Sequence, residues 1–415
     1  MEVRKILLAV FLLFGIQMCL ADIMPDDTLT VVSGVVKDRI NKKRLPGTNI
    51  SLPGSNIATV TNADGYFTIK IPHRLLRTGI KAEHVGYASA TLSWKALRGR
   101  SSRVTIMLDP AGKMLEEITV YGAEPRELVE LAIKKIPENY PMTRNLFSSF
   151  YRETIQKGKR YIGVSEAIVN VLKKPYTTRQ INGDRVSIVK GRRLMSQNPN
   201  DTIAVKIIGG PTLPVMLDIV KNEDILFSLP ELDFYEFKME PMAIIDDRRQ
   251  FVVSFRPVVS VAYPLHKGKI YIDQETQSFT RAEFSLDVSD KEKATKVMLY
   301  RKPRGLRFKP QEMEFIVTYK YQDGVSYLNY IRTKTRFKCD WKRRLFSSGY
   351  TAYAEMVMVD RDDNPVSSIS RKDAFGKRDI FSDMVENFND SDFWKDYNII
   401  EPTESLEKAV VKLRR

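Results

Sequence analysis

Apolar residues recur along this chain with two spacings, and the changes between them mark its parts. Short β-branched runs come first: Val31-Val32-Ser33-Gly34-Val35-Val36, Asn49-Ile50-Ser51-Leu52, Thr59-Val60-Thr61 and Tyr66-Phe67-Thr68-Ile69-Lys70-Ile71, then 80–85 and Val104–Leu108. Leu45-Pro46-Gly47, Pro53-Gly54 and Asn62-Ala63-Asp64-Gly65 separate them, because Gly and Asp accept positive φ and Pro presets its own. Short strands at this spacing predict a small β-sandwich. The period then turns helical: Pro125 opens a helix whose Leu128, Leu131, Ala132 and Ile136 share a face up to Pro137.

Alternation returns from 147 to 359 and predicts an antiparallel meander. Strands are expected at 147–156, 161–172, 232–238, 250–255, 269–273, 278–286, 296–300, Leu306–Gln322, 325–338 and 350–359, with turns at Lys157-Gly158-Lys159, Asn182-Gly183 and Asp323-Gly324. One helix is expected at 213–222. Beyond Asp360 the pattern predicts a polar loop at 364–379 and helices at 380–388 and 405–413, the last with Ser405 as N-cap. Phe393-Trp394, Tyr397 and Ile399-Ile400 are expected to pack back onto the sheet, since so large an aromatic cluster is seldom exposed. The fold class is mainly β: a seven-stranded sandwich at 28–110, a linker and helix at 111–142, an open antiparallel sheet or half-barrel with a few helices at 143–360, and a docked tail at 361–415.

Composition adds the compartment. With 415 residues, 43% hydrophobic and 28% charged, the chain has ample material for packed cores. After the N-terminus no apolar run reaches the roughly 18 residues of a spanning helix. Arg4 and Lys5, an apolar run at 6–16 and Cys19-Leu20-Ala21 read as an export signal at 1–21 cut after Ala21. A retained anchor and a lipid-bearing Cys19 are the alternatives. Cleavage leaves one cysteine, Cys339, so no internal disulfide forms. It alternates with basic residues and is expected on the buried face beside Phe337. The expected location is the periplasm or the periplasmic face of the outer membrane of a Gram-negative bacterium, with no integral span after cleavage.

Several strings are familiar together. SGVVKD at 33–38, LPGTNISLPGSN at 45–56, TVTNADGYFTIKIP at 59–72 and HVGY at 84–87 resemble the carboxypeptidase-like regulatory domain. That resemblance implies a seven-stranded, transthyretin-like sandwich, and EEITVYG at 116–122 is similar to the segment that closes such modules. It implies no peptidase: neither His73 nor His84 has a Glu three residues on, as a zinc carboxypeptidase ligand set requires. NYP at 139–141 and FYRE at 150–153 resemble an uncharacterised Gram-negative envelope family. GKIYID at 268–273 with TRAEF at 280–284 is similar to strand pairs of the periplasmic lipoprotein-carrier half-barrel.

The candidate chemistry is sparse. Three histidines and two cysteines leave little for metal or thiol chemistry, and no phosphate-binding loop or G-x-S-x-G elbow occurs. Two S-x-x-K strings, Ser187 to Lys190 and Ser405 to Lys408, lack partner motifs. Asp246-Asp247, Glu223-Asp224 and Asp362-Asp363 read as solvated turns, because adjacent strand residues point to opposite faces. No catalytic residue, metal ligand or cofactor is assigned.

Net charge is +15, from 66 Lys+Arg and 51 Asp+Glu. It concentrates at Arg332, Lys334, Arg336, Lys338, Lys342, Arg343 and Arg344, and again at Arg301, Lys302, Arg304, Arg307 and Lys309. One reading is a solvated sheet face. The other is contact with anionic lipid headgroups or an envelope polymer, nucleic acid being absent from the exported compartment. Tyr319, Tyr321 and Tyr327, with Tyr330 nearby and Phe234, Tyr235 and Phe237 as a second set, either pack a sheet core or line a ligand cup. The expected function is a non-catalytic accessory binding protein for an envelope protein or polymer. A carrier cupping an acyl lipid or lipoprotein, a cryptic hydrolase with two facing acids in a deep pocket, and a carbohydrate-binding module are the alternatives.

Overall fold

Strand β1 (Leu29–Asp38) alternates faces as its sequence dictates, and pairs antiparallel with β4 (Tyr66–Pro72) and parallel with β7 (Val104–Leu108). Gly34 is required here, because a Cβ at that position would lie 2.6 Å from the Val104 carbonyl oxygen and 2.7 Å from the Phe67 ring. A second sheet has the order β3 (Ala58–Val60), β2 (Asn49–Ser51), β5 (Ile80–Glu83), β6 (Ala90–Leu92). Val36, Ile50, Phe67, Ile69, Ile80 and Ile106 fill the space between the two sheets. This is the predicted seven-stranded sandwich, with a helical turn, α1 (Trp94–Leu97), after β6. The computed structural model describes residues 28–97, 103–112, 124–177, 179–181, 183–198, 201, 205–207, 209–341, 347–363, 365, 368–376, 379–387 and 393–413. The export segment 1–21 with Cys19, the 116–122 motif and the turn residue Asn182 lie outside them.

After α2 (Pro125–Lys134) and α3 (Ile136–Asn139) comes the large sheet. Its strands are β8 (Asn145–Lys157), β9 (Arg160–Lys173), β10 (Arg185–Met195), β12 (Tyr235–Ile245), β13 (Arg248–Pro257), β14 (His266–Asp273), β15 (Phe279–Leu286), β17 (Leu306–Gln322), β18 (Val325–Trp341) and β19 (Ser348–Asp362), with β20 (Glu386–Asn387) at one edge. The order is β12-β13-β14-β15-β17-β18-β19-β8-β9-β10-β20, an open sheet whose one parallel pairing is β10 with β20. A separate two-stranded ribbon joins β11 (Lys206–Ile207) to β16 (Leu299–Arg301).

The inner face of the sheet carries the main core. Val169, Val253, Ile270, Val317, Ile331 and Met356 meet Val129 and Ala132 of α2, Leu213 and Val215 of α4 (Thr212–Met216), and Ala294 and Met298 of α5 (Lys291–Met298). Phe337 and Cys339 are both buried there, as their alternation predicts. On the outer face Phe150, Ile168, Tyr330, Val357 and Val359 meet Val60 of the sandwich and Trp394 and Ile400 of the tail, which therefore packs back as expected.

Five local expectations are corrected. Residues 291–298 are helix, because Asp290 caps it by accepting from the Glu292 and Lys293 amides at 3.0 Å each, so of the strand expected at 296–300 only 299–300 is strand, within β16. The 232–238 strand begins only at Tyr235, after a 3₁₀ turn at Leu229–Phe234. The helix at 213–222 ends at Met216; turns follow, in which the Asp218 carbonyl accepts from Lys221 and Asn222. Within the expected 380–388 helix, residues 380–387 are not α-helical: a 3₁₀ turn at Phe381–Asp383 leads into β20, which finds hydrogen-bonding partners on the β10 edge. The last helix, α6 (Glu404–Leu413), starts one residue early, since Thr403 Oγ1 accepts from the Leu406 amide at 3.1 Å in place of a Ser405 cap.

Candidate functional site

The sandwich, the outer face of the sheet and the tail enclose a cleft of about 640 Å³. Val31, Ser33, Thr68 and Lys70 of β1 and β4 form one wall, Arg152, Val164, Glu166 and Arg192 of β8 to β10 form the floor, and Trp394, Ile399, Pro402, Leu406 and Val410 form the other wall together with the charged Lys395, Glu401 and Glu407. Strand alternation explains the floor: Arg152 and Glu166 are directly opposed across β8 and β9, and Glu166 and Arg192 across β9 and β10. The Glu166 carboxylate accepts from Arg152 Nε at 2.7 Å, Arg192 Nε at 3.0 Å and the Trp394 indole at 3.2 Å. Burial alone would raise its pKa, but the two guanidiniums hold it below the usual range. Arg192 also lies over the Phe393 and Trp394 rings, 5.3 and 4.9 Å from their centroids.

Polar anchors from both sides fix the tail segment. Arg152 Nη2 donates to the Ile400 carbonyl at 2.7 Å and Lys70 Nζ to the Tyr397 carbonyl at 2.6 Å and to that of Trp394. Thr59 Oγ1 reaches the Ile399 carbonyl at 3.0 Å, and Asn62 Nδ2 that of Pro402 at 2.9 Å. The cleft thus sets apolar side chains of the sheet and tail against a mostly polar sandwich wall, over a buried cluster of two guanidiniums and one carboxylate, with the tail tied down by hydrogen bonds. Such a surface suits an extended, partly apolar segment.

A smaller cavity of about 70 Å³ lies at another part of the sandwich–sheet contact. Glu83 of β5 and Asp246 of the β12–β13 turn face each other there, with Lys81 2.9 Å from Glu83 Oε1 and in contact with Asp246. Asn49 donates to Glu83 Oε2 at 2.8 Å, and Lys320 lies 3.8 Å from the same oxygen. Burial and the neighbouring Glu83 push Asp246 up to about 6; Glu83 is disfavoured by burial, yet Lys320 and Lys81 hold it at about 2. Asp246 is therefore not a solvated turn residue. Its turn projects it into the sandwich, with both central residues at positive φ (53° and 58°), while Asp247 accepts from the Ser89 amide at 2.8 Å. Two acids of shifted pKa do face each other, but their oxygens are taken up by lysines and an asparagine, and the space admits only a few waters. The pair serves as a clasp between sandwich and sheet.

Of the three candidate cup tyrosines, Tyr319 and Tyr321 border the same small cavity, while Tyr327 lines another. Tyr319 is buried in the main core, donating to Asp218 Oδ1 at 2.7 Å beside Tyr176, which donates to Oδ2 at 2.6 Å; Lys173 Nζ lies 2.7 Å from the same carboxylate. Tyr321 lines the small polar cavity beneath Arg248, whose guanidinium is 4.8 Å from its ring centroid. Tyr327 is half-buried under Arg361, 3.2 Å from its ring centroid, in a separate 30 Å³ cavity. Tyr330 belongs to the outer face, and Tyr235 to the core. Alternation gave each a buried face without saying which.

Of the basic strand, Arg332, Lys334, Arg336 and Lys338 do share the face opposite Phe337 and Cys339. Lys334 is bound by Glu312 at 2.8 Å and Glu314 at 3.1 Å, Arg336 by Glu312 at 3.2 Å, and Arg332 is opposed in register by Glu355. Acidic residues on neighbouring strands thus neutralise much of that stripe. Lys338 is exposed; Lys342, Arg343 and Arg344 lie outside the described residues. His84 is half-buried against Thr48 with its pKa lowered to about 4 by desolvation and then by Arg281, and no group of metal-ligating side chains occurs among the described residues. Sequence reasoning missed the cleft: Val31, Val164 and Val410 share no local pattern.

No helix among the described residues is long and apolar enough to cross a membrane. No curated protein matches the chain. Among solved structures, a domain described as outer membrane lipoprotein-sorting, from Vibrio parahaemolyticus, is 12% identical with a TM-score of 0.27, covering 60% of this chain and 95% of its own. A DUF1329 family protein from Desulfovibrio piger is 13% identical with a TM-score of 0.25 over 59% and 96%. MucB in complex with MucA(peri) is 9% identical with a TM-score of 0.16 over 59% and 100%. Likenesses at these scores lend this chain no ligand. Residues 32–120, by contrast, match the CarboxypepD_reg-like domain, the family that the turn motifs of the sandwich resemble.

Proposed function

We propose that this protein is a non-catalytic, exported envelope protein that binds an extended segment of a protein partner or polymer in the cleft between sandwich, sheet and tail. The observation that carries the reading is the cleft itself, about 640 Å³, in which three separate parts of the chain bring apolar side chains such as Val31, Val164, Trp394 and Leu406 together with polar and charged ones. Preformed clefts of this volume are the usual seat of ligands, and rigid walls reduce the ordering cost of binding. The carrier alternative places an acyl chain on the inner face of the sheet, where Tyr319, Leu213 and Phe227 are packed into the core.

The test is photo-crosslinking in the native host with a benzophenone amino acid at Val31 or Val410, and at exposed Ile40 as control. A discrete adduct from Val31 and Val410 but not from Ile40 is the expected result. Absence of an adduct at both cleft positions, or an identical one at Ile40, overturns the cleft reading. A stoichiometric acyl adduct in native mass spectrometry, retained in a variant whose cleft is filled by Val164→Trp, transfers the binding site to the inner face.

A further inference from the structure

Because neighbouring strands of the large sheet run antiparallel, their connections gather at two ends. One end holds the 246–247, 274–278 and 323–324 turns and grips the sandwich through Asp246 and Asp247. The opposite end carries the 258–265 and 287–305 connections, and two features meet there. The first is apolar. Val258-Val259-Ser260-Val261-Ala262-Tyr263-Pro264 joins β13 to β14, with Val258 54%, Val259 40% and Tyr263 47% exposed; Leu229, on the adjoining 3₁₀ turn, is 43% exposed. The loop is held in place: the Val258 amide donates to Phe234 at 2.8 Å, the Tyr263 hydroxyl to Glu231 at 2.6 Å, and Lys293 Nζ to Ser260 at 3.3 Å.

The second feature is basic. Residues 291–309 contain eight Lys or Arg and a single acid, Glu292. Lys291, Lys296, Arg301, Lys302, Arg304 and Arg307 are all exposed. Tyr300, 52% exposed, adds another aromatic ring. Asp340 pairs with Lys309 at 2.9 Å, Glu292 with Lys296 at 3.5 Å and Asp290, the α5 cap, with Lys293 at 3.7 Å, while Glu231 accepts from Tyr263 and Asp287 from the Ser289 amide at 3.0 Å. Ordered apolar side chains at a protein's tip, ringed by cations and flanked by tyrosines, match the layered chemistry of a bilayer interface, with acyl boundary, headgroup level and anionic surface.

We propose that this end of the sheet docks on an anionic lipid bilayer, with Val258, Val259 and Tyr263 entering the interface and the 291–309 segment meeting headgroup phosphates. Charge complementarity selects the bilayer: a protein groove accepting the loop has no need of a cationic collar on a separate helix and ribbon. Docking leaves the cleft open on the outer face of the sheet, so this surface and the cleft are tested independently.

Purified residues 22–415, which retain every described residue, are sedimented with vesicles of phosphatidylcholine alone and of phosphatidylcholine mixed equally with phosphatidylglycerol. Binding to the mixed vesicles only, released by high salt, is expected. Lys302→Gln and Arg304→Gln each lower the partition coefficient about fivefold, the contribution of one surface cation. Val259→Asp lowers it by ~10-fold or more through loss of apolar insertion. Arg74→Gln, on the exposed surface of the sandwich, leaves it unchanged. No binding to the mixed vesicles, equal binding to both kinds, or mixed-vesicle binding that ignores all three substitutions overturns the proposal, and the two Gln variants carry the test if the Asp variant misfolds.

Discussion

Arg152 and Glu166 are both buried on the outer face of the sheet, 2.7 Å apart, and the same arginine holds the tail through the Ile400 carbonyl. Glu166 is thus the acid common to two strands and the tail, with Arg152, Arg192 and Trp394 all donating to it. Glu166→Gln strands two buried guanidiniums against a neutral amide. Breaking such a pair from one side costs about 3–5 kcal/mol. Urea denaturation should show that loss, and limited proteolysis should cut within 393–402 well before the sandwich. An unchanged urea midpoint would show that water reaches the guanidiniums.

Trp394 tests the same junction from the tail. Its ring meets Phe150 edge-on at 5.6 Å and Phe393 at 4.6 Å. Trp394→Ala should destabilise by about 3–5 kcal/mol and Trp394→Phe, which loses the indole donor but keeps a ring, by roughly 1–2 kcal/mol. If alanine costs no more than phenylalanine in thermal unfolding, the tail is not docked on this face in solution.

Tyr319→Phe separates core from cup. The hydroxyl donates to Asp218, which also accepts from Tyr176 and lies 2.7 Å from Lys173, so the variant leaves a buried carboxylate short of one donor. A loss of about 1–2 kcal/mol in chemical denaturation is expected, with crosslinking at Val31 unaffected. A neutral effect on stability would mean that the hydroxyl is solvated, as in an open cup.

What the chain disclosed on reading was what its local pattern encodes. Asp323-Gly324 joins two strands of period two, and β17 and β18 pair where it places them. The Asn62 to Gly65 turn and the β-branched runs around it likewise specify the sandwich. Local reading failed where other contacts decided the outcome: the Asp290 cap draws 296–298 into a helix and leaves only 299–300 as strand, and 386–387 joins the sheet because β10 offers it an edge. The cleft and the Glu83–Asp246 clasp were out of reach altogether, since they join residues more than 80 positions apart. The tyrosines show the same boundary: alternation fixes that Tyr319 and Tyr321 are partly or wholly buried, while contacts from Asp218 and Arg248 decide in what.

The clasp predicts a pH dependence. Asp246 is raised from 3.8 to about 6, chiefly by burial and then by Glu83. Its contribution to stability is therefore complete below its unfolded pKa and is lost as pH rises through about 6. Glu83, lowered from 4.5 to about 2, contributes above 4.5 and loses that contribution as pH falls through 2. Lys81 moderates the repulsion when both acids ionise, so the loss expected from Asp246 between pH 5 and pH 7.5 is roughly 1–2 kcal/mol. His84 and His266, each lowered to about 4 by burial, act in the opposite sense, losing their contribution as pH falls from 6.5 toward 4. Comparison with Asp246→Asn cancels them. The difference in unfolding free energy between wild type and variant should shift toward the variant by that amount when pH rises from 5 to 7.5. Parallel curves for the two proteins would mean that Asp246 ionises freely and that the clasp is open to solvent.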